Sequence, residues 1–123
     1  MAKNGNLLIN VGPAADGSIP ELQRPAMRER GTWLEVNGDA IYGTRPWIRM
    51  GERTGAPRRY TTTGATVHVH ALDPSTLELP EELLGSDLRW TDGSVVERQA
   101  HDQAVAVIPA GLREEAVAVL SAG

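Results

Sequence analysis

The run Leu7-Leu8-Ile9-Asn10-Val11, closed by Gly12-Pro13, constrains the fold of this chain more than any other stretch. Its apolar residues do not alternate, which suits a strand buried on both faces and therefore a parallel strand of the kind found in an α/β barrel. Asp16-Gly17 then supplies a turn in which the glycine can take positive φ. Ser18 with Glu21 three residues later reads as a capping box, and Pro20 falls in a first helical turn, so the spacing predicts a helix from Ile19. Asn37-Gly38 predicts its end in a left-handed cap. Leu22, Ala26, Met27, Arg30, Trp33 and Leu34 fall near one stripe of that helix. Pro25 would sit deep inside it at a cost of about 3 kcal/mol, which predicts a kink or an irregular first turn.

After Trp47 the pattern changes from helical to alternating, so the organisation expected is a strand-helix unit over 1–47, a linker over 48–57 and an antiparallel β-sandwich over 58–123. Candidate strands are Arg59 to Thr63, Thr66 to Leu72, Asp87 to Thr91, Val95 to Gln99, Gln103 to Ile108 and Glu115 to Leu120. Thr63-Gly64 and Asp92-Gly93 read as hairpin turns, the second as a two-residue connection. The fold class is α+β. Within Thr66 to Leu72 the alternation puts Val67, Val69 and Ala71 on one face and His68 and His70 on the other.

Composition narrows the partners. Sixteen acidic against twelve basic residues give a net charge of −4, which disfavours a phosphate-binding surface and so nucleic acid. The chain has no cysteine, which removes disulfides, thiolate chemistry and sulfur-based zinc sites. No apolar run approaches the roughly 20 residues that cross a bilayer. The start does not read as a signal peptide, which leaves the cytoplasm as the default location. Lys3 is the only lysine and alanine is abundant, a bias expected of GC-rich bacterial coding.

Three stretches, Lys3-Asn4-Gly5-Asn6-Leu7-Leu8-Ile9-Asn10-Val11-Gly12-Pro13, Asp16-Gly17-Ser18-Ile19-Pro20-Glu21 and Trp33-Leu34-Glu35-Val36-Asn37-Gly38-Asp39-Ala40-Ile41-Tyr42-Gly43-Thr44-Arg45-Pro46-Trp47, together resemble the closing segment of the catalytic barrel of family-29 α-L-fucosidases. Tyr60 to Asp73 resembles, more loosely, the opening of the β-sandwich that follows it. The resemblance implies that residues 1–47 are the last βα unit of a (β/α)8-like barrel and the rest a C-terminal sandwich. It implies retaining glycoside hydrolysis, in which one carboxylate attacks the anomeric carbon and a second carboxyl acts as acid and then base, the two about 5 to 5.5 Å apart. The family's nucleophilic Asp and acid/base Glu come from earlier barrel strands. The chain alone is therefore expected to be inactive, with a fucosylated glycan as ligand only in a full-length context.

Among its own residues, catalytic and metal-binding groups are expected to be none, and no cofactor is expected. Asn10 and Asp16 are substrate-rim candidates, because the C-terminal end of a barrel strand is where such folds place their chemistry. The preferred reading makes Asn10 a hydrogen-bonded polar plug and Asp16 a turn former, and neither matches a catalytic residue of the family. His68 and His70 are spaced to offer two metal ligands, yet nothing completes a coordination shell, so a solvated or interface strand face is preferred. His101 beside Asp102 lacks a placed nucleophile. Trp33, Trp47 and Trp90 are read as packing residues before sugar platforms. Two alternatives remain, a non-enzymatic carbohydrate- or protein-binding module and one chain of a split fucosidase. Because an isolated βα unit leaves apolar surface uncovered, a homo-oligomer through residues 7–33 is expected.

Overall fold

The computed structural model describes residues 1–52, 58–72, 77–96, 105–106 and 118–122. One helix, α1 (Arg24–Asn37), runs into a 3₁₀ turn (Gly38–Ala40), and seven strands follow among the described residues. They are β1 (Arg45–Glu52), β2 (Arg58–Thr63), β3 (Thr66–Ala71), β4 (Leu77–Glu78), β5 (Leu88–Trp90), β6 (Val105–Ala106) and β7 (Ala118–Ala122). A second 3₁₀ turn, Glu81–Leu83, lies between β4 and β5. The main sheet has the order β1-β2-β3-β7-β5 with every pair antiparallel, and β4 pairs with β6 in a separate ladder. The fold class is α+β, as the sequence pattern implies.

The helix begins five residues later than Ile19, and proline explains why. Starting at Arg24 puts Pro25 in the first turn, where its missing N–H leaves no bond unmade, instead of in the interior where it would break one. Residues 21–23 form a turn, with Gln23 N–H donating to the Pro20 carbonyl at 2.9 Å. The expected capping box is absent. The Ser18 hydroxyl and amide both donate to Asp16 Oδ1, at 2.7 and 3.0 Å, while Glu21 pairs with Arg24 at 3.1 Å. Gln23 occupies the cap position without a side-chain bond to the helix. Ser18→Ala is consequently expected to change the unfolding free energy by less than about 0.5 kcal/mol, as surface substitutions do. A loss above about 1 kcal/mol in denaturant titration would restore a capping role. The end differs too, since Gly38 keeps right-handed angles (φ −59°) and continues into the 3₁₀ turn, and the left-handed glycine is Gly43 (φ 69°).

Residues 7–11, expected as a buried strand, lie outside every strand, and Leu7, Leu8 and Ile9 are exposed, Leu8 at 91%. A parallel strand takes its ladder from neighbours on both sides. None of the seven described strands pairs with this segment, so its alternation-free apolar pattern goes unused. The expected linker is corrected over its first part, because 48–52 belong to β1, paired with β2, and Trp47 lies within the same strand. Pro46 and Gly51 hid this strand, for a sheet tolerates both residues best at an edge, and β1 is an edge. The remainder of that linker, 53–57, lies outside the described residues, as do Glu97–Gln99, most of Gln103–Ile108 and the first part of Glu115–Leu120.

The core lies between one face of the main sheet and the segment after β4. Tyr60, Val67, Val69, Ala71, Leu88 and Trp90 pack with Leu77, Leu79, Leu83 and Val96. Trp47 is half-buried against this cluster, its ring 5.3 Å from that of Tyr60 at 60°. The register pairs Tyr60 with Val69 and Thr61 with His68, which keeps apolar residues on one face and Thr61, His68 and His70 on the other.

The tripeptide Asp-Gly-Ser occurs twice and builds the same loop each time. At Asp16-Gly17-Ser18 and at Asp92-Gly93-Ser94 the aspartate accepts from the serine amide and hydroxyl, and the glycine has φ 81° and 84°. Ala14 N–H donates to the Ser18 carbonyl and Trp90 N–H to that of Ser94, so each loop holds three residues. The two-residue reading of Asp92-Gly93 is corrected on this point. A type I turn followed by a left-handed glycine needs the third residue.

Candidate functional site

Asn10 and Asp16, the two rim candidates, hold their side chains close to their own backbone. Asn10 Oδ1 accepts from the Val11 amide at 2.9 Å, and both Asn10 and Asp16 are exposed. The hydrogen bonds from Ser18 hold the Asp16 carboxyl below the ordinary carboxylate range. Asp16 is therefore an ionised acceptor at neutral pH, unsuited to giving a proton to a leaving group. A cleft separates residues 9–12 from the start of α1, lined by Asn10, Val11, Leu22, Ala26, Met27 and Arg30 among others. The Gln23 side chain closes one end by accepting from the Gly12 amide at 3.0 Å. Nothing in the sequence singled out Gln23, because a polar residue beside a helix start has many possible partners.

His68 and His70 are neither solvated nor gathered with other ligands. Both are buried on the face where the turn that ends α1 meets the sheet, so that face is an interface between the helical unit and the strands. His70 Nε2 lies 3.0 Å from Thr61 Oγ1, and that hydroxyl donates to the Ala40 carbonyl at 2.9 Å. His68 Nε2 lies 3.3 Å from Thr63 Oγ1. Burial, and secondarily the neighbouring His68, pushes His70 down to about 4, while burial also lowers His68 against an opposing pull from Asp39. Both rings are neutral at pH 7. Among the described residues no cluster of three or more His, Cys, Asp or Glu is placed to hold a metal ion. His101 and Asp102 lie outside the described residues.

The tryptophans divide. Trp90 is 3% exposed in the core and presents no face to a ligand, and Trp47 has Tyr60 against its ring. Trp33 is half-buried and lines a largely apolar cleft with Ile41, Arg59 and His70. The carboxylates share a tendency. Among the described residues, those that depart from ordinary values are Asp16, Glu82 and Asp92, and all three are held low, Asp16 and Asp92 mainly by serine and Glu82 by its own backbone amide and then Arg49. None is pushed up as a general acid would be.

Comparison with known proteins places this arrangement. A family profile described as Alpha-L-fucosidase matches residues 1–39. The alpha-L-fucosidase of Branchiostoma floridae is 42% identical over 69 residues, which is 56% of this chain and 15% of that protein. Tissue alpha-L-fucosidase of Mus musculus is 35% identical over 101 residues, 71% of this chain and 22% of the relative. The fold superposes on the Thermotoga maritima alpha-fucosidase crystal structure with TM-score 0.80 at 32% identity, covering 99% of this chain and 31% of that one. For alpha-L-fucosidase isoenzyme 1 of Paenibacillus thiaminolyticus the TM-score is 0.81 at 33% identity, with 98% and 31% covered. The chain thus spans less than a third of each of these proteins.

Proposed function

From the premise that this chain belongs to the α-L-fucosidase family, as its C-terminal part, we propose that it is the non-catalytic end of a fucose-releasing glycoside hydrolase: the closing element of a barrel joined to a supporting β domain. The observation that carries this reading is the state of its carboxylates. A retaining glycosidase needs one carboxyl kept protonated near neutrality and a second beside it. The perturbed carboxylates among the described residues, Asp16, Glu82 and Asp92, all shift the opposite way. The purified chain is therefore expected to release no nitrophenol from 4-nitrophenyl α-L-fucoside above buffer. Turnover that copurifies with the protein and disappears when one of its carboxylates is changed to the amide would overturn the proposal.

The uncovered surface supports a second part of the same reading. Leu7, Leu8, Ile9, Ile19 and Met27 are exposed together with Leu22, the last at 94%. Water penalises such area at roughly 25 cal/mol per Å². In a complete barrel this face meets the preceding strands, whether one polypeptide supplies them or two. Taken by itself, the chain covers it with a second copy, since a two-fold contact uses one patch twice. Light scattering at micromolar concentration is expected to give a dimer or larger species, and Leu8→Glu with Leu22→Glu to return it to monomer. A parent chain already monomeric would show that the face stays bare.

A further inference from the structure

We propose that Ala40, Thr61 and His70 form an acid-released latch, which holds the helical unit on the sheet while His70 is neutral and lets the turn after α1 lift when His70 takes a second proton. The connection is a short relay. Thr61 has a single hydroxyl proton, and it goes to the Ala40 carbonyl at 2.9 Å. Toward His70 the hydroxyl can then only accept, so the 3.0 Å contact fixes the hydrogen on Nε2 and leaves the lone pair on Nδ1. An incoming proton must bind Nδ1 and put a full charge on a ring that is 7% exposed.

The surroundings offer that charge little. His68 lies two residues away on the same strand face and opposes a positive ring, Arg59 stands opposite His70 in the β2–β3 register, and Met1, whose ammonium donates to the Gly5 carbonyl, lines the same cleft. Asp39, from the 3₁₀ turn, acts on His68. Relief comes by admitting water, and the ring lies between the turn, whose Ala40 is 2% exposed, and a cleft that Met1, Ala2, Trp33 and Ile41 line together with it. The sheet beneath is held by two continuous ladders on either side of β3. The turn is fastened across the interface by a side-chain bond, from Thr61 to Ala40, with no ladder of its own to the sheet among the described residues. It is the part that opens more easily. The inference is independent of the enzymatic reading above, because it concerns only the joint between two parts of the chain.

The chain contains no cysteine, so a single introduced thiol reports local opening. Ala40→Cys places it under the latch, Val69→Cys in the fully buried sheet core, and Ser18→Cys on the surface as a reference. Labelling uses 4,4′-dithiodipyridine, which reacts at acidic pH. Relative to the reference, the Ala40→Cys thiol is expected to react on the order of a hundredfold faster at pH 4 than at pH 7.5, the ratio that one proton binding a freed histidine in preference to a buried one gives. The Val69→Cys thiol is expected to stay slow. His70→Gln keeps an N–H donor for Thr61 and cannot titrate, so it should abolish the acceleration. Thr61→Val removes the relay and should make the latch thiol fast already at pH 7.5. The proposal is overturned if the latch and core thiols accelerate together, if His70→Gln retains the pH response, or if the latch thiol stays protected at pH 7.5 in the Thr61→Val background.

Discussion

Tyr60→Ala is expected to lower the unfolding free energy by about 3 kcal/mol or more, enough to leave a domain of ordinary stability largely unfolded at modest denaturant concentration. Tyr60 is fully buried at the centre of the core, opposite Val69 in the register and against the ring of Trp47. Its loss removes a large apolar surface from the packing and opens a cavity that neighbouring strands cannot fill, because both flanks of β2 are held in ladders. Tyr60→Phe keeps the ring and is expected to cost far less. Urea titrations of the two variants give the comparison. An alanine variant whose stability lies within about 1 kcal/mol of the parent would mean that the centre of the fold is elsewhere.

Gly51→Ala is expected to be nearly as costly, about 3 kcal/mol, for a backbone reason. Between the pairs Pro46–Thr61 and Gly51–Arg59, β1 advances five residues while β2 advances two, so a bulge of three extra residues bends the edge strand. Gly51 takes φ 145° to rejoin the ladder, in a region that side chains rarely enter. A Cβ there would overlap the carbonyl oxygen of Arg58, which is fixed backbone, and crowd the Arg59 side chain. Strain and overpacking each cost about 1 to 3 kcal/mol. Gly17→Ala serves as the control, because its added Cβ meets nothing within 4 Å and only the positive φ opposes it. Equal losses at the two sites would show that no close approach exists at Gly51.

What the sequence determined by itself was local or periodic. The alternation in Thr66 to Leu72 separated Val67, Val69 and Ala71 from His68 and His70, and the structure keeps that division because a strand has no other way to place successive side chains. Asp16-Gly17 and Asp92-Gly93 announced turns, since only glycine takes those angles without strain. The motifs of residues 3–47 identified the family. Tertiary structure decided what depended on partners. An apolar run becomes a strand only when neighbours complete its ladder, and Leu7 to Val11 has none among the described residues. Ser18 and Glu21 fit a cap equally well as a turn and an ion pair, and the position of Pro25 settled the choice by moving the helix start to Arg24. The meaning of His68 and His70 was also decided at a distance. Their burial comes from a turn well before them in the chain, and a relay through Thr61 to a backbone carbonyl leaves no trace in residue spacing.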